Sequence, residues 1–301
     1  MSFIFLSVFL YAFSYIKIFL QNQESRVFAG SISDSVSYSA PQEPPVVEPV
    51  AKPMPQIDLT ALSAISVETN MLGKDQIVYE KNSSTQLPIA SLTKLMTAVV
   101  VLDNYDISSK IIISKTADLQ DPVKQDVKFG DELPVESLMY VMLIGSSNKS
   151  AYALAEGPEG WLGEKKFVEL MNEKARYFGL ENTFFADPTG LSSKNVSTAN
   201  DLAKLALRIL KDYPKIAQIS KASDFFVPSF GKIVNTNRLL AEVPDAVCSK
   251  TGFTTDANGC LLLAIHNSES GDYLINVILG SNDRFSEMKK LISLTCSLPL
   301  E

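Results

Sequence analysis

Three apolar runs near the end of the chain, Val247 to Phe253, Cys260 to Ile265 and Tyr273 to Leu279, most restrict what it can become. Each has the length of a strand, is rich in aliphatic and β-branched residues, and is bounded by Gly, Asn, Asp and Ser, the pattern of antiparallel strands buried on both faces. Far upstream, Ala61 to Val67 alternates as a strand does. A Gly73-Lys74-Asp75 turn then leads to a second short strand at Ile77-Val78-Tyr79, so these two form a hairpin. Between the two strand groups the period changes to that of helices. One begins at Ser91 and carries Leu95, Met96, Val99 and Val100 on its apolar face. Others run from Val135 to Leu143, Asn148 to Ala155, Glu164 to Phe178 and Asn200 to Leu210, and a last one places Phe285, Met288 and Ile292 on one side. Strands at both ends with helices between predict an α+β domain, its antiparallel sheet assembled from both ends of the sequence and its helices gathered into a lobe.

Residues 57–301 make up this folded part. Ahead of it, Phe3 to Leu20 is almost wholly apolar or aromatic, broken only by Lys17, and nearly long enough to cross a bilayer. Residues 1–20 therefore read as a membrane anchor or export signal. Val27-Phe28-Ala29 would serve as a small-residue cleavage site, but no basic residue precedes the apolar stretch, which favours an uncleaved anchor. Lys17 and Arg26 follow the segment and oppose that orientation, a conflict weakened because large domains translocate largely regardless of flanking charge. Residues 21–56 are rich in Ser, Pro, Glu and Val, with Pro41, Pro44, Pro45, Pro49, Pro53 and Pro55 crowded into the second half. Such chain buries too little apolar surface to offset its ordering entropy and acts as a semi-rigid spacer.

A net charge of -7 argues against nucleic acid as a partner, since no basic stripe offers counterion release along a phosphate backbone. The three cysteines, Cys248, Cys260 and Cys296, lack paired C-x-x-C spacing and histidine partners, so no metal site is expected. Cys248 and Cys260 flank a hairpin and read as small buried hydrophobes rather than as a disulfide. His266 is the only histidine, which disfavours a Ser-His-Asp enzyme. It closes an apolar strand and reads as a solvent-facing hairpin residue. Trp161, between Gly160 and Gly163, reads as loop packing rather than a sugar platform, and Phe167, Leu170, Met171 and Phe178 form a core stripe.

Chemistry without histidine is available at Ser91-Leu92-Thr93-Lys94. Residues three apart share a helix face, so the Ser91 hydroxyl and Lys94 amine point into one pocket. The amine must be neutral to act as a base, although a free lysine titrates near about 10.4. Burial disfavours the ammonium. A second cation such as Lys250 at about 4 Å adds roughly 4 kcal/mol at an effective dielectric of about 20, or about three pK units. Ser146-Ser147-Asn148 lies between two helices, where Ser146 can relay a proton between Lys94 and a leaving amine and the Asn148 amide can hold a peptide bond. Lys250-Thr251-Gly252 lies in a late strand. There Thr251 can donate to a terminal carboxylate, Gly252 leaves room for a substrate added as a strand, and the Ser91 and Phe253 N–H groups can serve an oxyanion.

These segments in this order resemble the penicillin-binding serine D-alanyl-D-alanine carboxypeptidases, the S11 peptidase family; such motif sets are known in penicillin-binding proteins and class A β-lactamases. The resemblance runs from about Ile57 to the C-terminus. It extends to Asn182-Thr183, Asp187-Pro188-Thr189-Gly190-Leu191, Ser197-Thr198, Asp201-Leu202-Ala203, Asn235 to Leu240, and Gly259-Cys260-Leu261. It implies a β-lactamase/transpeptidase-like fold and removal of the terminal D-alanine from peptidoglycan stem peptides through an acyl-enzyme, without metal or cofactor. It also implies covalent inhibition by β-lactam antibiotics. By the same resemblance Ser91 is the acylated nucleophile, Lys94 its base, Ser146 and Asn148 the second motif, and Lys250 and Thr251 part of the carboxylate-recognition strand. Two departures stand out. Lys149 occupies a position that is often acidic in the family, and the β-rich C-terminal domain and amphipathic tail of larger members are not expected here. The short form is also similar to members that cut cross-links as endopeptidases. A class A β-lactamase would need a deacylating glutamate in a Glu-x-x-Leu-Asn setting, which Glu156, Glu164, Glu169 and Glu181 lack. An inactive peptidoglycan-binding module is disfavoured because every reactive side chain is present.

Overall fold

Strand β1 (Ser63–Thr69) lies between β2 (Asp75–Lys81) and β11 (Tyr273–Ser281) in the computed structural model, which describes residues 57–294 apart from 71, 73, 74, 125 and 269. The segment 1–20, the linker 21–56 and Cys296 lie outside the described residues. With β9 (Ala246–Thr254) and β10 (Asn258–His266) these strands complete a five-stranded antiparallel sheet in the order β2-β1-β11-β10-β9. Ser63 pairs with Leu279 and Thr69 with Tyr273, so the sheet is built from both ends of the sequence as expected, and β9 is left as an edge.

The late apolar runs are unbroken because both faces of the sheet are covered. Along β10, Leu261, Leu263 and Ile265 point to one side. Together with Ala64, Leu274 and Ile278 they pack on Met288, Leu291 and Ile292 of the last helix, Arg284–Ile292. Burying each of those three side chains contributes about 1.5–3 kcal/mol. The alternate residues Cys260, Leu262 and Ala264, with Ile65, Ile275, Val277 and Leu279, face the helical lobe.

That lobe is centred on α1 (Thr93–Asn104), whose residues from Thr93 to Val101 are all buried. The sequence predicts one apolar face; the helix is instead enclosed all round, as a central helix must be. Around it lie α2 (Lys115–Asp118), α3 (Val135–Ile144), α4 (Asn148–Glu156), α5 (Glu164–Tyr177), α6 (Ala199–Asp212) and α7 (Pro214–Ser220), with Arg284–Ile292 as α8 on the far face of the sheet. Short two-stranded pairs stitch the connections: β3 (Leu87–Pro88) with β6 (Val196–Ser197), β4 (Lys110–Ile112) with β5 (Glu132–Pro134), and β7 (Asp224–Val227) with β8 (Gly231–Val234). Cys248 and Cys260 are free, buried thiols, held at different levels of the β9–β10 ladder by the pairings Cys248–Ala264 and Cys260–Gly252.

Candidate active site

Ser91 does not begin the α-helix. It sits in a 3-10 turn, Ala90–Leu92, that feeds α1, and Ala90 there adopts φ +47°, a left-handed conformation uncommon for a residue with a side chain. Two glycines let backbone close around this turn. A Cβ on Gly190, whose φ is +86°, would lie 2.0 Å from the Ala90 carbonyl oxygen. One on Gly252 would lie 3.0 Å from the Ile89 oxygen and 3.1 Å from the Ser91 nitrogen. Gly252 thus makes room for the Ser91 turn against β9, a role the sequence reading had given to an incoming substrate strand.

Lys94 is one turn further on and wholly buried, with Nζ 2.9 Å from Ser91 Oγ. Nζ also donates to Asn148 Oδ1 at 2.8 Å and to the Thr189 carbonyl at 2.5 Å. Both of these partners are pure acceptors, and the Asn148 amide is held in that orientation because its Nδ2 donates to the Asp121 carbonyl at 3.0 Å. A neutral amine keeps two N–H bonds and one lone pair. With the N–H bonds taken by two carbonyl oxygens, the lone pair faces the Ser91 hydroxyl.

Burial pushes Lys94 down from 10.5 to about 7, against the upward pull of the Asp187 and Asp126 carboxylates. Lys250, also buried, is held well below the ordinary lysine range by burial first and then by the positive charges of Lys94 and Arg284. Sequence reasoning had shared the work on Lys94 between burial and Lys250. In the structure burial is the largest cause for both amines, and the repulsion between the two cations is mutual, so it belongs to the pair. Asp187 stays below the usual carboxylate range although burial opposes this, because it accepts from Thr189, Ser192 and Gly190.

Ser146 joins α3 to α4 with φ +63°, a second non-glycine left-handed residue, and its Oγ accepts from Lys250 Nζ at 3.0 Å. Strained residues of this kind persist where the surroundings over-determine them. Asn148 opens α4, with Ser147 as its N-cap. On β9, Lys250 Nζ also reaches the Thr251 carbonyl at 3.0 Å, Thr251 Oγ1 pairs with Thr236 Oγ1 at 2.6 Å, and Arg284 Nη1 donates to the Gly252 carbonyl at 3.0 Å. Backbone groups alternate sides along a strand. The Gly252 carbonyl is taken from the sheet side and the Thr251 carbonyl from the cleft, so the Phe253 N–H faces the open edge of β9.

The structure therefore brings Ser91, Lys94, Ser146, Asn148, Lys250, Thr251 and Gly252 together, with Phe253, 65% exposed, at the rim. Sequence reasoning gave no role to the Thr189 carbonyl, Thr236 or Arg284. Thr189 and Thr236 sit in segments already noticed for their resemblance, whereas no motif singles out Arg284. Lys149 pairs with Asp118 at 2.6 Å, off the cleft. His266 packs on Tyr273 with ring centroids 5.1 Å apart, and Trp161 is exposed, tilted against Tyr105 at 6.1 Å. A hollow of about 780 Å³ near Trp161, lined in part by Glu156, Gly157 and Glu159, contains none of these cleft residues.

Comparison with known proteins agrees with this geometry. The family model described as D-alanyl-D-alanine carboxypeptidase, peptidase S11, matches residues 48–283. The chain is 34% identical over 246 residues to the D-alanyl-D-alanine endopeptidase of Escherichia coli, covering 78% of this chain and 77% of that one. It is 32% identical over 250 residues to the D-alanyl-D-alanine carboxypeptidase DacF of Bacillus subtilis, covering 79% and 62%. The cefotaxime-bound penicillin-binding protein D2 of Listeria monocytogenes superposes with a TM-score of 0.71 at 26% identity, over 80% of this chain and 99% of that one. With the family model matched over most of its length and the serine–lysine cleft assembled, the chain belongs to the S11 family of serine D-alanyl-D-alanine carboxypeptidases.

Proposed function

We propose that the protein removes the terminal D-alanine from peptidoglycan stem peptides through an acyl-enzyme on Ser91. The observation that carries this reading is the Lys94 amine, two of whose directions are taken by carbonyl oxygens while the third faces Ser91 Oγ. Ser91 Oγ attacks the carbonyl carbon of the penultimate D-alanine as its proton passes to Lys94. The oxyanion that forms accepts from the Ser91 and Phe253 N–H groups, and Thr251, backed by Lys250, holds the terminal carboxylate. Collapse breaks the C–N bond, and the leaving amine takes a proton through the Ser146 hydroxyl, which Lys250 orients. Water activated by Lys94 then cleaves the ester and regenerates the serine. β-Lactams enter by the same first step and remain as slowly hydrolysed acyl-enzymes, because Glu156, Glu164, Glu169 and Glu181 lack the Glu-x-x-Leu-Asn setting of a deacylating glutamate. Residues 1–20 are read as a membrane anchor or export signal and residues 21–56 as a spacer, so that the peptidase domain acts outside the cytoplasm.

A second reading, cleavage of cross-links as a D,D-endopeptidase, is favoured by the names of relatives such as the Escherichia coli and Pseudomonas aeruginosa enzymes, at 34% and 36% identity. Fluorescent penicillin tests the shared chemistry. A covalent band in the wild type that is absent in Ser91→Ala is the expected result, and a wild type that takes no label overturns the assignment.

A further inference from the structure

At the end of α4 remote from the cleft lies the hollow of about 780 Å³, lined in part by Ser109, Ser114, Glu132, Glu156, Gly157 and Glu159, a size that takes a small organic ligand. Glu132 is paired with Lys110 at 2.9 Å, and Glu156 Oε1 accepts from Ser114 Oγ at 3.0 Å. Glu159, held at φ +55°, has no hydrogen bond or ion pair among the described residues. Trp161, which the sequence suggests packs its loop, is 65% exposed between Gly160 and Gly163 of the wall, its ring tilted against Tyr105. Tyr105 itself is 8% exposed, and its hydroxyl has no hydrogen-bond partner. That hydroxyl is directed at Gly157 in the wall, where a Cβ would lie 2.6 Å from its oxygen. A buried hydroxyl left unpaired costs free energy that is recovered when a ligand hydroxyl bonds to it.

These groups define the ligand's chemistry. Three carboxylates against one ammonium repel an anion and accept from hydroxyl donors, while the open indole covers the apolar face of a ring. A neutral saccharide has both a rim of hydroxyls and such a face. The position of the hollow fits a polymer that also enters the cleft. Asn148 opens α4 and Glu156 ends it, a rise of about 12 Å at about 1.5 Å per residue. A stem peptide of about five residues spans about 17 Å when extended. α2 joins the two places along the surface: its N-cap Ser114 lines the hollow, and its last residue, Asp118, pairs with Lys149 next to Asn148.

We infer that this hollow binds a sugar of the peptidoglycan glycan strand, so that the enzyme holds the strand while a stem attached to it enters the cleft. The sugar lies on Trp161, and its hydroxyls donate to Glu156 and Glu159. This inference goes beyond the D,D-peptidase reading and rests on it only for the identity of the polymer.

Trp161 is the only tryptophan in the chain, so tryptophan emission reports on the hollow alone. Oligomers of N-acetylglucosamine added to the purified protein are expected to change that emission saturably and with little dependence on salt, since the ligand is neutral. Emission that stays flat up to millimolar oligomer overturns the site, and a change made by a diamine but not by the oligomer overturns the saccharide as its ligand. Trp161→Ala and Glu159→Gln, both at exposed positions, are expected to weaken oligomer binding about tenfold or more by calorimetry. They should raise KM for D-alanine release from pentapeptides still attached to glycan by a similar factor with kcat unchanged, and leave release from free pentapeptide and penicillin acylation at wild-type rates. Variants that treat the glycan-linked substrate as the wild type does, or that lose both substrates equally, overturn the inference. A wild type that binds the oligomer yet takes no penicillin label overturns the peptidase reading instead and leaves the sugar site standing.

Discussion

Ser91 is an ordinary alcohol until its neighbour gives up a proton, and the ability of Lys94 to do so comes from where it is buried. Two carbonyl oxygens can accept from either an ammonium or an amine, so they do not by themselves select the neutral form; burial, which penalises the charged form, does. The direction of the pH dependence follows. Below about pH 7 Lys94 is protonated, its lone pair is occupied, and acylation falls about tenfold per pH unit; above it the rate levels off. Because Lys250 is buried close enough to feel the Lys94 charge, the observed limb belongs to the pair. The second-order rate of penicillin acylation measured from pH 5 to 9 checks this, and Lys94→Arg supplies the control. Arginine keeps the charge but cannot release its proton, so that variant should be slower by about 10²- to 10⁴-fold and show no limb near 7. A normal limb in the arginine variant removes Lys94 from the base role.

At the level of elements, the site is a junction of three chain segments held together by backbone contact. The Ala90–Leu92 turn is wedged between β9 and the Asp187-Pro188-Thr189-Gly190 loop, and that loop is tied internally because the Asp187 carboxylate accepts from Thr189, Gly190, Ser192 and Asn195. Gly190→Ala puts a methyl where the Ala90 carbonyl is and asks alanine to hold a left-handed conformation. The strain costs about 1–3 kcal/mol, and a shift of about 1 Å in the turn costs about a hundredfold in rate. Acylation should therefore fall much further than thermal stability, and equal acylation in mutant and wild type would show that the loop does not position Ser91. The long elements of this junction were legible from periodicity: the three late strands, the early hairpin and the helix carrying Lys94 all lie where the pattern predicts. Ser91 and Lys94 were legible because a three-residue spacing puts two side chains on one side of a helical turn, although that turn begins as a 3-10 turn and becomes the α-helix only at Thr93. The pairs β3–β6, β4–β5 and β7–β8 were not, since strands of two to four residues contain too few alternations to register. Pro228 lies in the turn between β7 and β8. The Thr189 carbonyl left no trace either, because a backbone acceptor has no side chain by which to be recognised.

For the whole described domain, the decisive fact is that the first strand has its partner near the end of the chain. β1 pairs with β11, so the sheet that presents Lys250 and Thr251 is complete only after almost all of the domain has been made, a topology with the slow loop closure of long-range pairing. One side chain fastens the seam. Glu287 on α8 is 4% exposed, and its carboxylate accepts from the backbone N–H groups of Thr60 and Ala61, which lead into β1, and from the hydroxyl of Ser281, which ends β11. Replacing it with alanine leaves the buried Ala61 N–H and Ser281 hydroxyl without this acceptor and should cost about 2–3 kcal/mol. In a domain of this size each kcal/mol lowers the melting temperature by about 2–4 °C, so Glu287→Ala should melt about 4–12 °C earlier. Glu287 does not touch the cleft, so penicillin acylation well below the transition should match the wild type. Thermal melting and acylation measured on one preparation separate the two effects. An unchanged melting temperature would mean that apolar packing of α8 on the sheet closes the seam without the carboxylate.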